Sequence, residues 1–162
     1  MDLYTFIILL HIIGTVLGTG AATMAEVHIT KALKDGQVSP DEGRLLHSTY
    51  FTIRVGMAFL LVSILGMILY YISNDMVDRL FQTKVLFKEF LFVMIVINAV
   101  CISRRWVPLW LGAATSFTSW WLATILGVAG YIPLNFIQFL LGYIVLVLTV
   151  AGALHFIKKL VK

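Results

Sequence analysis

The sequence predicts an all-α membrane protein, a polytopic bundle of about five transmembrane helices with a long first helical hairpin. Three observations carry this. Of the 162 residues, 60% are apolar and 12% charged, against roughly half and about a quarter in an average soluble domain. The apolar residues gather into five long runs separated by short polar segments, and a helix that crosses a bilayer needs about 20 mostly apolar residues. No alternating pattern of the outer-membrane barrel type occurs. The same composition excludes disordered and fibrous classes. A soluble fold of this length could not cover its surface with 12 basic and 8 acidic side chains. The lone Cys101 forbids an intramolecular disulfide and a cysteine metal cluster. The net charge of +4 reads as membrane topology, and no nucleic-acid partner is expected. With no linker, repeat or low-complexity tract, residues 1–162 read as a single transmembrane domain.

The first span is expected over residues 3–27. It opens on Asp2 with no basic segment before it, so it does not read as a cleavable signal. Gly36 is a stop for this helix, and Ser39-Pro40-Asp41-Glu42 is a start for the next: serine as N-cap, proline in the first turn, glutamate three residues after the cap. The second span is expected over 49–72, inside a helix that begins near Pro40 and outreaches the hydrocarbon core by several turns. The third, fourth and fifth spans are expected over 86–103, 109–131 and 134–156. Small residues at helical spacing, Gly14, Gly18, Gly142 and Gly152, read as helix-packing positions.

Orientation follows from Lys and Arg. With the N-terminus outside, the inner segments hold Lys31, Lys34, Arg44, Arg104, Arg105, Lys158, Lys159 and Lys162, and the outer loops only Arg79 and Lys84. That bias predicts an N-out, C-in topology. Trp106 and Trp110 then fall at an inner aromatic belt and Tyr131 at an outer one.

Ionisable residues inside spans are expensive and are functional candidates by default. His11 lies about eight residues into the first span, on one face with Gly14 and Gly18. That leaves room for a flat group such as haem, or else the imidazole bonds a neighbouring helix. For a hairpin turning near Gln37, residue n faces roughly residue 74 minus n. His28 then faces Leu46 and His47, and two imidazoles at one height can ligate a metal or haem iron. His155 lies at the same end, and Glu26 is placed to orient a ligating imidazole. Arg54 needs an anion: a haem propionate, or Glu26. In the third span Lys84, Lys88 and Asn98 share a face, while Lys88 and the adjacent Glu89 point different ways. Lys84 can snorkel to the outer interface. The mild polar stripes of the fourth span (Thr115, Thr118, Ser119) and the fifth (Gln138, Gly142, Thr149, Gly152) either join helices or line a polar path.

The segment "LLHIIGTVLGTGA", carrying His11, Gly14, Gly18 and Gly20, resembles the first helix of a superfamily of small bacterial integral membrane proteins. It includes the CopD-type copper-resistance proteins and the HemJ-type protoporphyrinogen oxidases. The third span, "KVLFKEFLFVMIVINAV" followed by "SRR", is similar to the Lys-led third helix of these families through Lys84 or Lys88, Asn98, Arg104 and Arg105. The likeness covers about the first 105 residues. Leu17 and Gly18 stand where HemJ-type proteins carry a Trp, and no Arg follows. His28 is a loose counterpart of their later His. For copper, Met24 and Met57 are present without clustering.

The resemblance implies a multi-pass protein of the bacterial cytoplasmic (inner) membrane that binds b-type haem. His11, His28, His47 and His155 would supply ligands to iron, the first three being the metal candidates, and Arg54 and Lys88 would hold propionates. Electron transfer or porphyrin oxidation would follow, with a redox partner or porphyrin substrate. The alternative reading is a cofactor-free, non-enzymatic permease-like or assembly protein. Small-residue faces allow a homo-oligomer.

Overall fold

Each of the five apolar runs is one α-helix in the computed structural model, which describes residues 2–32 and 39–161. The helices are α1 (Leu3–Ala32), α2 (Pro40–Ser73), α3 (Thr83–Ser103), α4 (Leu109–Val128) and α5 (Phe136–Val161), with a 3-10 turn at Val77–Arg79. The described residues contain no strand. Windows at Leu3–Lys31, Pro40–Ser73, Thr83–Ser103, Leu109–Val128 and Phe136–Ile157 are long and apolar enough to cross a membrane. The expected turn at Gly36 and Gln37 lies outside the described residues.

Local chemistry sets the helix ends. Asp2 accepts from the Thr5 N–H at 2.8 Å, an N-cap that satisfies one orphan donor of α1. The bonds from Thr5 hold the Asp2 carboxyl below its usual range, so this cap is present at neutral pH and weakens as acid protonates the group. At α2 the expected capping box forms: Ser39 Oγ accepts from the Glu42 N–H, and the Glu42 carboxylate accepts from the Ser39 N–H at 2.8 Å. At 1.5 Å per residue the 34 residues of α2 extend about 51 Å.

Four helix ends differ from expectation; one is the far end of α5, which runs on to Val161, past 156. α3 starts at Thr83 instead of 86, because a polar first turn is tolerated at the helix mouth. α4 stops at Val128, short of 131, as Ala129 turns extended (φ −65°, ψ 139°) ahead of Pro133. α5 starts at Phe136, past 134, because Asn135 and Gln138 cap each other reciprocally: each side-chain oxygen accepts the other's N–H at 2.9 Å.

α2 and α3 both end in the Schellman pattern. The N–H of Met76 bonds the carbonyl of Tyr71, and the N–H of Trp106 that of Cys101. The residues forced left-handed are Asp75 (φ 55°) and Arg105 (φ 57°), where glycine carries no steric penalty. Arg105→Gly is expected to raise stability by about 1 kcal/mol, read by thermal unfolding in detergent.

α1 and α2 form the expected antiparallel hairpin. Its register follows from three contacts: Tyr4 stacks on Tyr70 at 4.6 Å between ring centroids, His11 bonds Ser63, and His28 bonds Thr49. Where the helices cross, Gly14 and Gly56 interlock. A Cβ on Gly56 would lie 2.9 Å from the Gly14 carbonyl oxygen and the Gly18 nitrogen. Backbone atoms cannot yield there as a side chain can, so Gly56→Ala is expected to destabilise by about 1–3 kcal/mol, read by unfolding in SDS. Gly142 and Gly152, also expected to pack, have nothing within 4 Å; they lie on the outward face of α5.

Two apolar clusters hold the bundle. Ala22, Ile53, Leu60, Ile64, Ile95 and Trp120 join α1 through α4. Phe87, Leu91, Leu126, Phe139, Tyr143 and Val147 join α3, α4 and α5. Lys84 is held at the end of α4: its Nζ donates to the carbonyls of Ala129 (2.7 Å) and Gly130 (3.2 Å), favourable for a cation at the C-terminal end of α4. Asn98 likewise donates to the Gly112 carbonyl at 2.8 Å. The two ends of the bundle differ chemically. One carries Arg104, Arg105, Trp106 and Trp110; the other carries Tyr4, Tyr70 and Tyr71, with Arg79 6.0 Å from the Tyr71 ring.

Candidate functional site

Four helices converge on a cavity of about 100 Å³ in the half of the bundle nearer the tyrosines. His11 and Thr15 reach it from α1, Tyr71 from α2, Lys88 and Glu89 from α3, and Trp120 from α4. Lys88 and Glu89, adjacent on α3 and expected to point different ways, both border this cavity. Neighbours on a helix diverge by about 100°, and both border the cavity because it opens on the part of α3 that lies between α2 and α4. Lys84, Lys88 and Asn98 lie toward α4 from one side of α3: Lys88 shares the cavity with Trp120 and Ala123, and Lys84 and Asn98 bond carbonyls of α4 or of the residues that follow it.

His11 is fixed by Ser63. Its Nδ1 lies 3.0 Å from Ser63 Oγ, and that hydroxyl donates its one hydrogen to the Leu60 carbonyl at 2.8 Å. The serine oxygen is left to accept from Nδ1–H. That fixes the neutral tautomer and leaves Nε2 as a bare acceptor.

The groove beside His11 already holds a flat group, which belongs to the protein. Trp120 is fully buried, and its ring fills the space above Gly18: a Cβ there would come within 2.0 Å of the indole. Gly14 is closed by α2. The indole Nε1–H and Thr118 Oγ1 are buried with no hydrogen-bond partner among the described residues.

From the cavity a polar stripe runs down α1 at a spacing near four: His11, Thr15, Thr19, Thr23 and Glu26. Thr19 Oγ1 lies 2.7 Å from Thr124 Oγ1. Trp121 Nε1 donates to Thr23 Oγ1 at 3.0 Å. Glu26 is buried and borders a cavity of about 30 Å³ with Tyr50 and Ser116. The stripe went unread in the sequence, although its period of four after His11 was visible there. Of the stripes that were read, that of the fourth span joins helices, one of its two expected roles, and that of the fifth bonds within its own helix. Ser119 bonds Tyr143 at 2.9 Å, Gln138 caps α5, and Thr149 bonds its own helix at Val145.

The remaining candidates do not meet. His28 Nδ1 lies 3.3 Å from Thr49 Oγ1, two residues past His47, which is exposed. His155 is exposed on α5. His11 and His28 stand about 25 Å apart along α1 at 1.5 Å per residue, so no single metal takes both. Among the described residues no three of His, Cys, Asp and Glu gather in a metal-holding group. Arg54 is exposed on the groove between α2 and α3, about 13 Å along α2 from Ser63, so it and Lys88 do not converge on one anionic group. Haem fits poorly here. The slot beside His11 is filled by Trp120, and ligand pockets for molecules of drug size run to roughly 300 Å³ and above.

Comparison with protein-family models, curated proteins and solved structures finds no match for this chain. The chain is thus defined by its architecture: among the described residues, five helices long and apolar enough to cross a membrane, with ionisable residues around a partly open cavity.

Proposed function

We propose that this chain is a permease-like, multi-pass protein of a bacterial cytoplasmic membrane, N-terminus outside, that handles protons at the His11–Lys88–Glu89 cavity. The observation that carries this is the meeting of three half-buried ionisable side chains from α1 and α3 around one partly open cavity within helices long and apolar enough to span a membrane. Groups of this kind are costly in a bilayer and mark ion and proton pathways. The bare Nε2 of His11 accepts the proton. Glu89 is a second exchanging group, and Lys88 is a fixed positive neighbour that tunes both. The stripe from Thr15 to Glu26 offers hydroxyls toward the basic end. The cavity's size suits water or a small ion.

The test is the ¹⁵N spectrum of histidine-labelled protein as pH is varied. His11 is expected as the Nδ1–H tautomer, taking up a proton reversibly at Nε2 on acidification. Ser63→Ala should remove the tautomer preference. An Nε2–H tautomer, or a His11 that never exchanges, would overturn the proposal. So would a Soret band in the purified protein that disappears in His11→Ala, because it would restore the haem reading and require Trp120 to leave Gly18.

A further inference from the structure

The α2–α3 pair leaves a second feature that the proton site does not use. The two helices pack on other partners more than on each other, and between them runs a groove of about 530 Å³. Its walls are apolar, with Met57, Ala58 and Leu61 on α2 and Val93, Val96 and Ile97 on α3. At its basic end stand Arg54 and Ser103, and Arg104 and Arg105 follow Ser103 directly. Arg54 is exposed, and among the described residues no hydrogen bond or ion pair reaches its guanidinium; the ion pair found there joins Arg44 to Asp41.

Depth gives this arrangement its meaning. Arg54 lies about 28 Å along α2 from Ser73, close to the roughly 30 Å of a hydrocarbon core. A guanidinium at that boundary needs an anion, and its fork of donors matches phosphate oxygens. The groove below it opens on the region that acyl chains fill. Basic residues beside a span attract anionic lipid. We infer that the α2–α3 groove is a site for one anionic phospholipid, its phosphate held by Arg54 and an acyl chain lying between Met57, Ala58 and Val96.

Native mass spectrometry of the full chain in mild detergent tests this, with phosphatidylglycerol, phosphatidylcholine of the same chains, and inorganic phosphate as probes. One phosphatidylglycerol is expected to be retained at about tenfold lower lipid concentration than phosphatidylcholine. Arg54→Gln should erase that preference, Arg54→Lys should keep part of it, and Ala58→Trp, which fills the groove, should weaken both lipids. Equal retention of the two lipids by the wild type overturns the proposal. Unchanged phosphatidylglycerol binding in Arg54→Gln does so too, as does inorganic phosphate displacing the lipid completely, which would reduce the site to a free-anion site. If Arg54→Gln fails to fold, the Arg54→Lys and Ala58→Trp results decide. The proton site can fail without altering any of these outcomes.

Discussion

Trp120→Ala is expected to cost about 3–5 kcal/mol of stability, the largest effect of any single truncation in this bundle. Trp120 is fully buried and joins the cluster formed by Ala22, Ile53, Leu60, Ile64 and Ile95. Its ring touches α1 at Gly18, so losing it opens a void where α1 and α4 meet. Collapse is resisted because Gly14 and Gly56 already hold α1 and α2 at backbone contact. Trp120→Phe should recover part of the loss. The indole N–H that it removes has no hydrogen-bond partner among the described residues, so its removal carries little penalty. Equilibrium unfolding of the three proteins in mixed micelles measures both.

Gly18→Val is expected to be nearly as severe, by overpacking. A Cβ at Gly18 would overlap the indole at 2.0–2.6 Å, far inside any tolerated contact. The ring is buried on all sides, so α1 and α4 must part. A penalty of about 3 kcal/mol, at the top of the usual overpacking range, is expected. Because the two side chains compete for one space, Gly18→Val combined with Trp120→Ala should be less damaging than the sum of the single changes. Strict additivity would mean that the ring does not sit over Gly18.

The fold was legible because membrane helices announce themselves by length and composition. The hairpin register was legible too. Pairing n with 74 minus n puts His11 on Ser63, and Ser63 is where the structure has it. Near His28 a shift of three positions brings Thr49, not His47, opposite. That shift is less than one helical turn, yet it decides whether two histidines share an ion. The Ser39 box was readable; the Asn135–Gln138 box was equally present and went unread because Pro133 and Leu134 drew the start earlier.

The candidate site was only half legible. His11 and Lys88 were singled out as costly in lipid, and both line the cavity. The glycines beside His11 suggested room for a flat ligand, but a glycine groove says only that something approaches. Whether the occupant is a cofactor or a tryptophan 100 residues away is set by the docking of α4 on α1, which no local pattern encodes. Glu89 was separated from Lys88 on single-helix geometry. A cavity wide enough to meet both faces needs several helices, so this too could not be read from one segment.

The central claim is that the His11–Lys88–Glu89 cavity handles protons, and proton flux tests it most directly. The purified protein would be placed in vesicles that enclose a pH-sensitive dye, and a potassium diffusion potential, negative inside, would be imposed with valinomycin. The account predicts that wild-type vesicles acidify faster than protein-free vesicles, and that His11→Gln and Lys88→Met, each shown to be folded, fall to the protein-free rate. Wild-type vesicles no faster than protein-free ones, or a His11→Gln variant as fast as the wild type, would contradict it.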